Sequence, residues 1–139
     1  MGLAPMLSTL RAWAWRWGPA ILIMAVIFLA SSTPGDELPQ FGAFDFSFKK
    51  GGHTLGYALL ALGFLRGLAW KRQTSRRSMI FAVLFSFLYA LSDEFHQTFT
   101  PGRTPSVLDV LIDTTGAVVG VAGWTFIRDR FFPRRAALN

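Results

Sequence analysis

The stretch Ser106-Val-Leu-Asp109-Val-Leu-Ile-Asp113-Thr-Thr-Gly116-Ala-Val-Val-Gly120-Val-Ala-Gly123-Trp-Thr-Phe-Ile127 decides how this chain folds. It is 22 residues long and carries no charge beyond its two aspartates. As a helix rising ~1.5 Å per residue it matches the ~30 Å hydrocarbon core of a bilayer. Ser106, Asp109, Asp113, Gly116, Gly120 and Gly123 recur at steps of three and four, which places them on one face, with Val121 off it. Bare glycines at this spacing let another helix approach closely, so the face points into a bundle and takes both carboxylates with it. Asp113 lies ~12 Å along the helix from Pro105, too deep for a short side chain to reach bulk water.

Three further apolar stretches have the same length, giving helices at about 12–32, 52–70, 78–99 and 106–127. The first opens on Trp13, Trp15 and Trp17, an aromatic anchor at a membrane interface. Arg11 and Arg16 before an apolar core, with Ala30-Ser31-Ser32 after it, also fit a signal peptide. An uncleaved spanning helix is the expectation here. Composition agrees with a membrane protein: 52% of the 139 residues are apolar, 15% aromatic and only 16% charged. The expected architecture is an all-α, integral membrane four-helix bundle forming one domain over residues 1–139. Four crossings leave no room for a large extramembrane domain. The absence of cysteine excludes disulfides, thiolate metal sites and a cysteine nucleophile.

A net charge of +6 and a pI near 10.8 raise the question of nucleic acid, and the distribution of the basic residues answers it. Arg11 and Arg16 precede the first stretch, Lys71, Arg72, Arg76 and Arg77 fill the second link, and Arg128, Arg130, Arg134 and Arg135 follow the fourth. Lys49, Lys50 and Arg103 stand on the other side, and Arg66 can snorkel toward the basic one. Lys and Arg in short loops favour the cytoplasm, so both termini are expected there and no nucleic-acid partner is expected. Membrane lipids are the expected partners, and a role of the basic rim toward lipid phosphate is a secondary reading.

Polar residues inside the apolar stretches gather at the opposite end. His53 and Tyr57 open the second stretch, Tyr89, Ser92, Asp93, Glu94, His96 and Gln97 close the third, and Ser106, Asp109 and Asp113 open the fourth. Ionisable groups at membrane depth are costly unless paired, hydrated or neutralised, so a cluster drawn from three helices marks a candidate site. Asp93 and Glu94 are adjacent and cannot face one partner; one is expected toward the bundle and the other at its rim, with His96 at the rim as well. His53 is expected inward, and Arg103, in the turn, is expected to reach back to the carboxylates. Phe44, Phe46 and Phe48 read as an interfacial anchor or a short strand. Arg103 and Lys50 could hold a phosphate while a carboxylate and His53 handle protons. A metal set of His53, Asp93 or Glu94, Asp109 and Asp113 is weaker, since no H-E-x-x-H or comparable ligand pair occurs; neither a metal nor a cofactor is expected. Ser92 and His96 share a face but have no orienting partner, so no nucleophile and base emerge.

Two strings carry a resemblance: Lys50-Gly51-Gly52-His53-x-x-x-Tyr57, and Ser92-Asp93-Glu94-x-x-Gln97-x-Phe99-x-Pro101-Gly102-Arg103-x-x-Ser106-x-x-Asp109-x-x-x-Asp113-x-x-Gly116-x-x-x-Gly120. Over residues 20–127 the chain resembles the VanZ-like family of small bacterial membrane proteins, with Lys49 where that family has an aspartate. The family's name comes from a member associated with low-level resistance to the glycopeptide teicoplanin, and no established catalytic mechanism comes with it. The resemblance implies a multi-pass protein of the bacterial inner membrane that acts in envelope lipid or glycopeptide response. The residues point to a pocket formed by the second, third and fourth helices, with a lipid-linked envelope precursor or other phosphate-bearing headgroup as partner. The alternative is a subunit or assembly partner of a larger membrane complex, in which the cluster of Lys50, His53, Tyr57, Asp93, Glu94, Gln97, Arg103, Ser106, Asp109 and Asp113 is an internal clamp.

Overall fold

In a computed structural model, which describes residues 2–35, 45–70 and 73–131, the chain forms four helices and, among the described residues, no strand. They are α1 (Leu3–Ser32), α2 (Asp45–Leu68), α3 (Arg76–Gln97) and α4 (Val107–Phe131). Three contain segments long and apolar enough to cross a membrane: Pro5–Ser32, Arg76–Gln97 and Val107–Phe131. Local chemistry sets several ends. Ser75 caps α3 reciprocally: its hydroxyl accepts the Ser78 N–H at 3.1 Å while the Ser78 hydroxyl accepts the Ser75 N–H at 2.9 Å. The turn between α3 and α4 needs Gly102 at φ 68°, the left-handed region that a glycine enters without steric penalty.

The helices differ from the expected stretches where the membrane signal and the hydrogen-bond signal part company. α1 begins nine residues before residue 12 and α4 runs on to Phe131, because a helix need not stop where its residues become wet. α2 begins at Asp45, so Phe46 and Phe48 lie on helical backbone instead of in a strand, while Phe44 lies outside the described residues.

Side-chain contacts at both ends give the topology. At one end Arg16 Nε donates to the Gly67 carbonyl at 2.8 Å, and Arg66 Nη1 donates to the carbonyls of Trp15 and Arg16, joining the middle of α1 to the end of α2. At the other end the last turn of α1 meets the last turn of α3, α3 meets the start of α4, and the first turns of α2 and α4 are joined by the Lys50–Asp109 ion pair. α1 and α3 therefore run one way and α2 and α4 the other. α2 is not one of the three strongly apolar helices, yet it traverses the same depth as they do. It tolerates its polar residues because it is enclosed: Tyr57, Leu60 and Ala61 are fully buried. Around the bundle the order is α1, α2, α4, α3, with α2 also touching α3 across it; among the described residues α1 and α4 do not meet. One apolar cluster joins Ala20, Ile27, Tyr57, Leu60, Ala90 and Val110, and a second joins Ala61, Leu65, Ala82, Ala117 and Val121. Large apolar side chains such as Leu22, Leu88 and Val119 stay exposed, the pattern of a surface solvated by lipid.

The glycine face of α4 packs as its spacing requires, over part of its length. A Cβ on Gly116 would strike the Thr54 carbonyl oxygen, and one on Gly120 would sit 2.8 Å from the Ala58 carbonyl oxygen. Gly123 has nothing within 4 Å, so close approach ends one turn earlier than the repeat suggested. Val121, expected off the packed face, is 5% exposed within the second cluster, since α4 is gripped by α3 as well as α2.

Candidate functional site

The polar residues converge at the end where α1 and α3 finish and α2 and α4 begin. Asp93, 3% exposed, accepts through Oδ2 from the Ser31 hydroxyl at 2.8 Å and from Gln97 Nε2 at 3.1 Å. Gln97 Nε2 also reaches Glu94 Oε1 at 3.4 Å, and Glu94 Oε2 accepts the Ser106 N–H at 2.7 Å. A continuous chain from Ser31 through Asp93, Gln97 and Glu94 to Ser106 thus ties α1, α3 and the start of α4 together. Charged acceptors make such bonds stronger than neutral ones. Glu94 at the same time takes up an amide that α4 leaves unpaired at its N-terminus.

Two ion pairs form the other half, between α2 and α4. Lys50 contacts Asp109, and His53 Nδ1 lies 3.7 Å from Asp113 Oδ2, ion-pair range for a protonated imidazole. Asp113 is 3% exposed, as its depth along α4 requires. Below these groups Tyr57 is fully buried, its ring 6.2 Å from that of Tyr89, whose hydroxyl donates to the Met24 carbonyl at 2.7 Å. Three buried side-chain atoms make no hydrogen bond among the described residues: Tyr57 Oη, Asp93 Oδ1 and Asp109 Oδ1, the last of which has the Lys50 ion pair.

Several expectations need correction. Asp93 and Glu94 do share one partner, Gln97 Nε2, because it projects between them from the next turn of α3, and neither is at the rim: both are buried, with Ser31 and Ser106 as their other partners. Arg103 reaches no carboxylate among the described residues. It donates to the Thr33 carbonyl at 3.1 Å and the Ala30 carbonyl at 2.6 Å, because the last carbonyls of α1 have no helical partner and the guanidinium fork fits them. The adjoining backbone is latched as well, with the Gly35 N–H on the Pro101 carbonyl at 3.0 Å. The site draws on four helices, not three: Ser31 of α1 was missed, hidden in a run of small residues with no charge to mark it. A buried serine one turn from a helix end, opposite a carboxylate, was the only signal available. His96 does sit at the edge, stacked on Phe28 at 4.5 Å with Nε2 3.0 Å from the Ser32 hydroxyl. Ser92 is exposed and donates to the Tyr89 carbonyl, so it forms no nucleophile with His96. Among the described residues no three His, Asp or Glu side chains are grouped to hold a metal.

A profile of the VanZ/LLP1 family matches residues 17–128. The chain belongs to the VanZ/LLP1 family. The matched span starts at Trp17 in α1 and ends at Arg128 in α4, so it takes in α2, α3, the second half of α1, most of α4 and every member of the polar layer. No curated protein and no solved structure gives a significant match. With three strongly apolar helices, this VanZ/LLP1 member is a multi-pass membrane protein.

Proposed function

We propose that this VanZ/LLP1 member is a bacterial inner-membrane protein, with both termini in the cytoplasm, whose polar layer faces outward and binds the headgroup of a lipid-linked envelope precursor. The concentration of Lys and Arg at the opposite end supports the orientation. The family's namesake, with its link to teicoplanin, supports a role in envelope or glycopeptide response. One observation carries the binding reading: Tyr57 Oη and Asp93 Oδ1 lie buried and unpartnered in the layer. Leaving a hydroxyl and a carboxylate oxygen unsatisfied costs about 1–3 kcal/mol each, a penalty that a bound group removes.

The chemistry of that pair narrows the part of the headgroup it meets. A ligand atom must accept from Tyr57 and another must donate to Asp93, which describes a hydroxyl or amide. Both cations once available for phosphate are engaged, Lys50 with Asp109 and Arg103 with α1, and four carboxylates oppose an added anion. The phosphate of such a precursor therefore lies outside the layer and its sugar or peptide portion within reach of it.

Tyr57→Phe is the deciding experiment. It keeps the ring, removes an oxygen that stabilises nothing inside the protein, and should leave membrane abundance and thermal stability unchanged while abolishing the glycopeptide-tolerance phenotype. Unchanged phenotype would refute the binding reading. A second reading, an internal clamp in a subunit of a larger complex, is favoured by the chain from Ser31 to Ser106, whose partners are all internal. It predicts that Asp93→Asn and Asp113→Asn lower abundance and that a large complex co-purifies in fixed stoichiometry.

A further inference from the structure

The opposite end of the bundle holds a groove of about 460 Å³ between the end of α2, the following link and α4. Leu62, Leu65, Ala69 and Trp124 supply apolar wall, and Arg66 and Trp70 stand together in it. Its volume falls within the ~300–1,000 Å³ typical of ligand clefts. We propose that this groove binds one anionic phospholipid, its phosphate on Arg66 and an acyl segment along the wall.

Depth is the first argument. All five tryptophans of the chain, at positions 13, 15, 17, 70 and 124, lie at this end. Tryptophan concentrates at the membrane interface, so the groove opens where lipid headgroups meet acyl chains. Charge is the second. Arg11, Arg16, Arg66, Arg76, Arg77, Arg128 and Arg130 lie at this end against a single described acid, Asp129, which is paired with Arg128 at 2.8 Å. The third is the state of Arg66. Its Nη1 donates to the Trp15 and Arg16 carbonyls, and its guanidinium stacks on Trp70 with 4.6 Å to the ring centroid. Those contacts fix the plane and leave the Nε–Nη2 edge, which among the described residues makes no other hydrogen bond. That edge is the planar fork that takes two phosphate oxygens at once. A pre-oriented arginine above an apolar channel at interfacial depth matches a phospholipid: anionic head, apolar tail, and arrival from within the bilayer.

Native mass spectrometry of the purified full chain in neutral detergent tests this, with phosphatidylglycerol and phosphatidylcholine of identical acyl chains as probes. Near a membrane surface one arginine is worth about 1 kcal/mol toward an anionic lipid, so phosphatidylglycerol should bind about fivefold tighter. Arg66→Gln should bring the two lipids within twofold of each other. Ala69→Phe, which fills the groove and spares the charge, should weaken both lipids at least fivefold. Arg130→Gln, outside the groove, should leave the preference intact, and soluble glycerophosphoglycerol should not displace bound lipid. Equal binding of the two lipids by the wild type would overturn the proposal. So would a preference lost equally in Arg130→Gln, which would assign it to diffuse charge, or displacement by the soluble headgroup, which would assign it to free phosphate. Should Arg66→Gln fail to fold, Ala69→Phe decides alone: undiminished binding in that variant refutes the groove. None of these outcomes bears on the polar layer.

Discussion

Replacing Ser31 by alanine removes one oxygen from a fully buried position and leaves no cavity of consequence, so its effect reports the bond to Asp93 together with a long one accepted from Gln97 Nε2 at 3.5 Å. The Ser31 hydroxyl donates to Asp93 Oδ2 at 2.8 Å, and Asp93 Oδ1 has no partner among the described residues. In Ser31→Ala, Asp93 keeps only the Gln97 bond at 3.1 Å. A hydrogen bond to a charged group contributes about 1.5–3 kcal/mol in water-soluble proteins. Interhelical bonds in membranes average about 0.6 kcal/mol and reach about 1.7, because the unfolded state also finds partners. A carboxylate that is 3% exposed argues for the upper part of the membrane range, so the expected loss is about 1–1.5 kcal/mol. In an Asp93→Asn background the acceptor is neutral and the same change should cost about half as much. Reversible unfolding of all four proteins in mixed micelles, read by far-UV circular dichroism, closes the double-mutant cycle. Equal penalties in both backgrounds, or no penalty in either, would refute the assignment of Ser31 to the site.

Other outcomes follow from contacts elsewhere in the bundle. Gly120→Leu should destabilise by about 1–3 kcal/mol or prevent accumulation through overpacking against Ala58, whereas Gly123→Leu should be tolerated; similar thermal stability of the two in detergent would mean that α4 does not press on α2 there. Arg103→Gln should lower stability by about 0.5–1.5 kcal/mol through loss of the bonds to the Ala30 and Thr33 carbonyls, and should do so equally when Asp109 is already asparagine; a dependence on Asp109 would put the guanidinium on the carboxylates instead. Because the chain has no cysteine, Thr104→Cys should react with impermeant maleimide in intact cells and Gln73→Cys should not, and the reverse would invert the orientation.

The four helices were legible as largely apolar stretches of membrane length, and close packing against α4 was legible because Gly116 and Gly120 repeat at helical spacing, although nothing in that repeat named α2 as the helix that approaches. Helix ends were less so: hydropathy reports where lipid stops, whereas Ser75 and Ser106 begin α3 and α4 through hydrogen bonds. In the site, His53, Asp93, Asp109 and Asp113 stood out as charges in an apolar context. Arg103 was misassigned because charge attraction is visible in a sequence and the orphan carbonyls of a preceding helix are not. Ser31 was invisible for the opposite reason, being neutral, small and common at helix ends. The groove beside Arg66 joins residues from α2, the link and α4 and has no sequence signature of its own.

The enclosure of α2 carries a consequence for how the protein is made. This helix bears Lys50, His53 and Arg66, is not among the three strongly apolar ones, and pairs Lys50 with Asp109 and His53 with Asp113. Those aspartates leave the ribosome about sixty residues later, which at about 5–20 residues per second is a delay of roughly 3–12 s. During that interval His53 lacks the buried carboxylate that faces it in the finished bundle. Stable integration of the second helix therefore waits on synthesis of the fourth, and in a nascent chain arrested before residue 107 an introduced Leu59→Cys stays open to a water-soluble maleimide while α1 is already inserted.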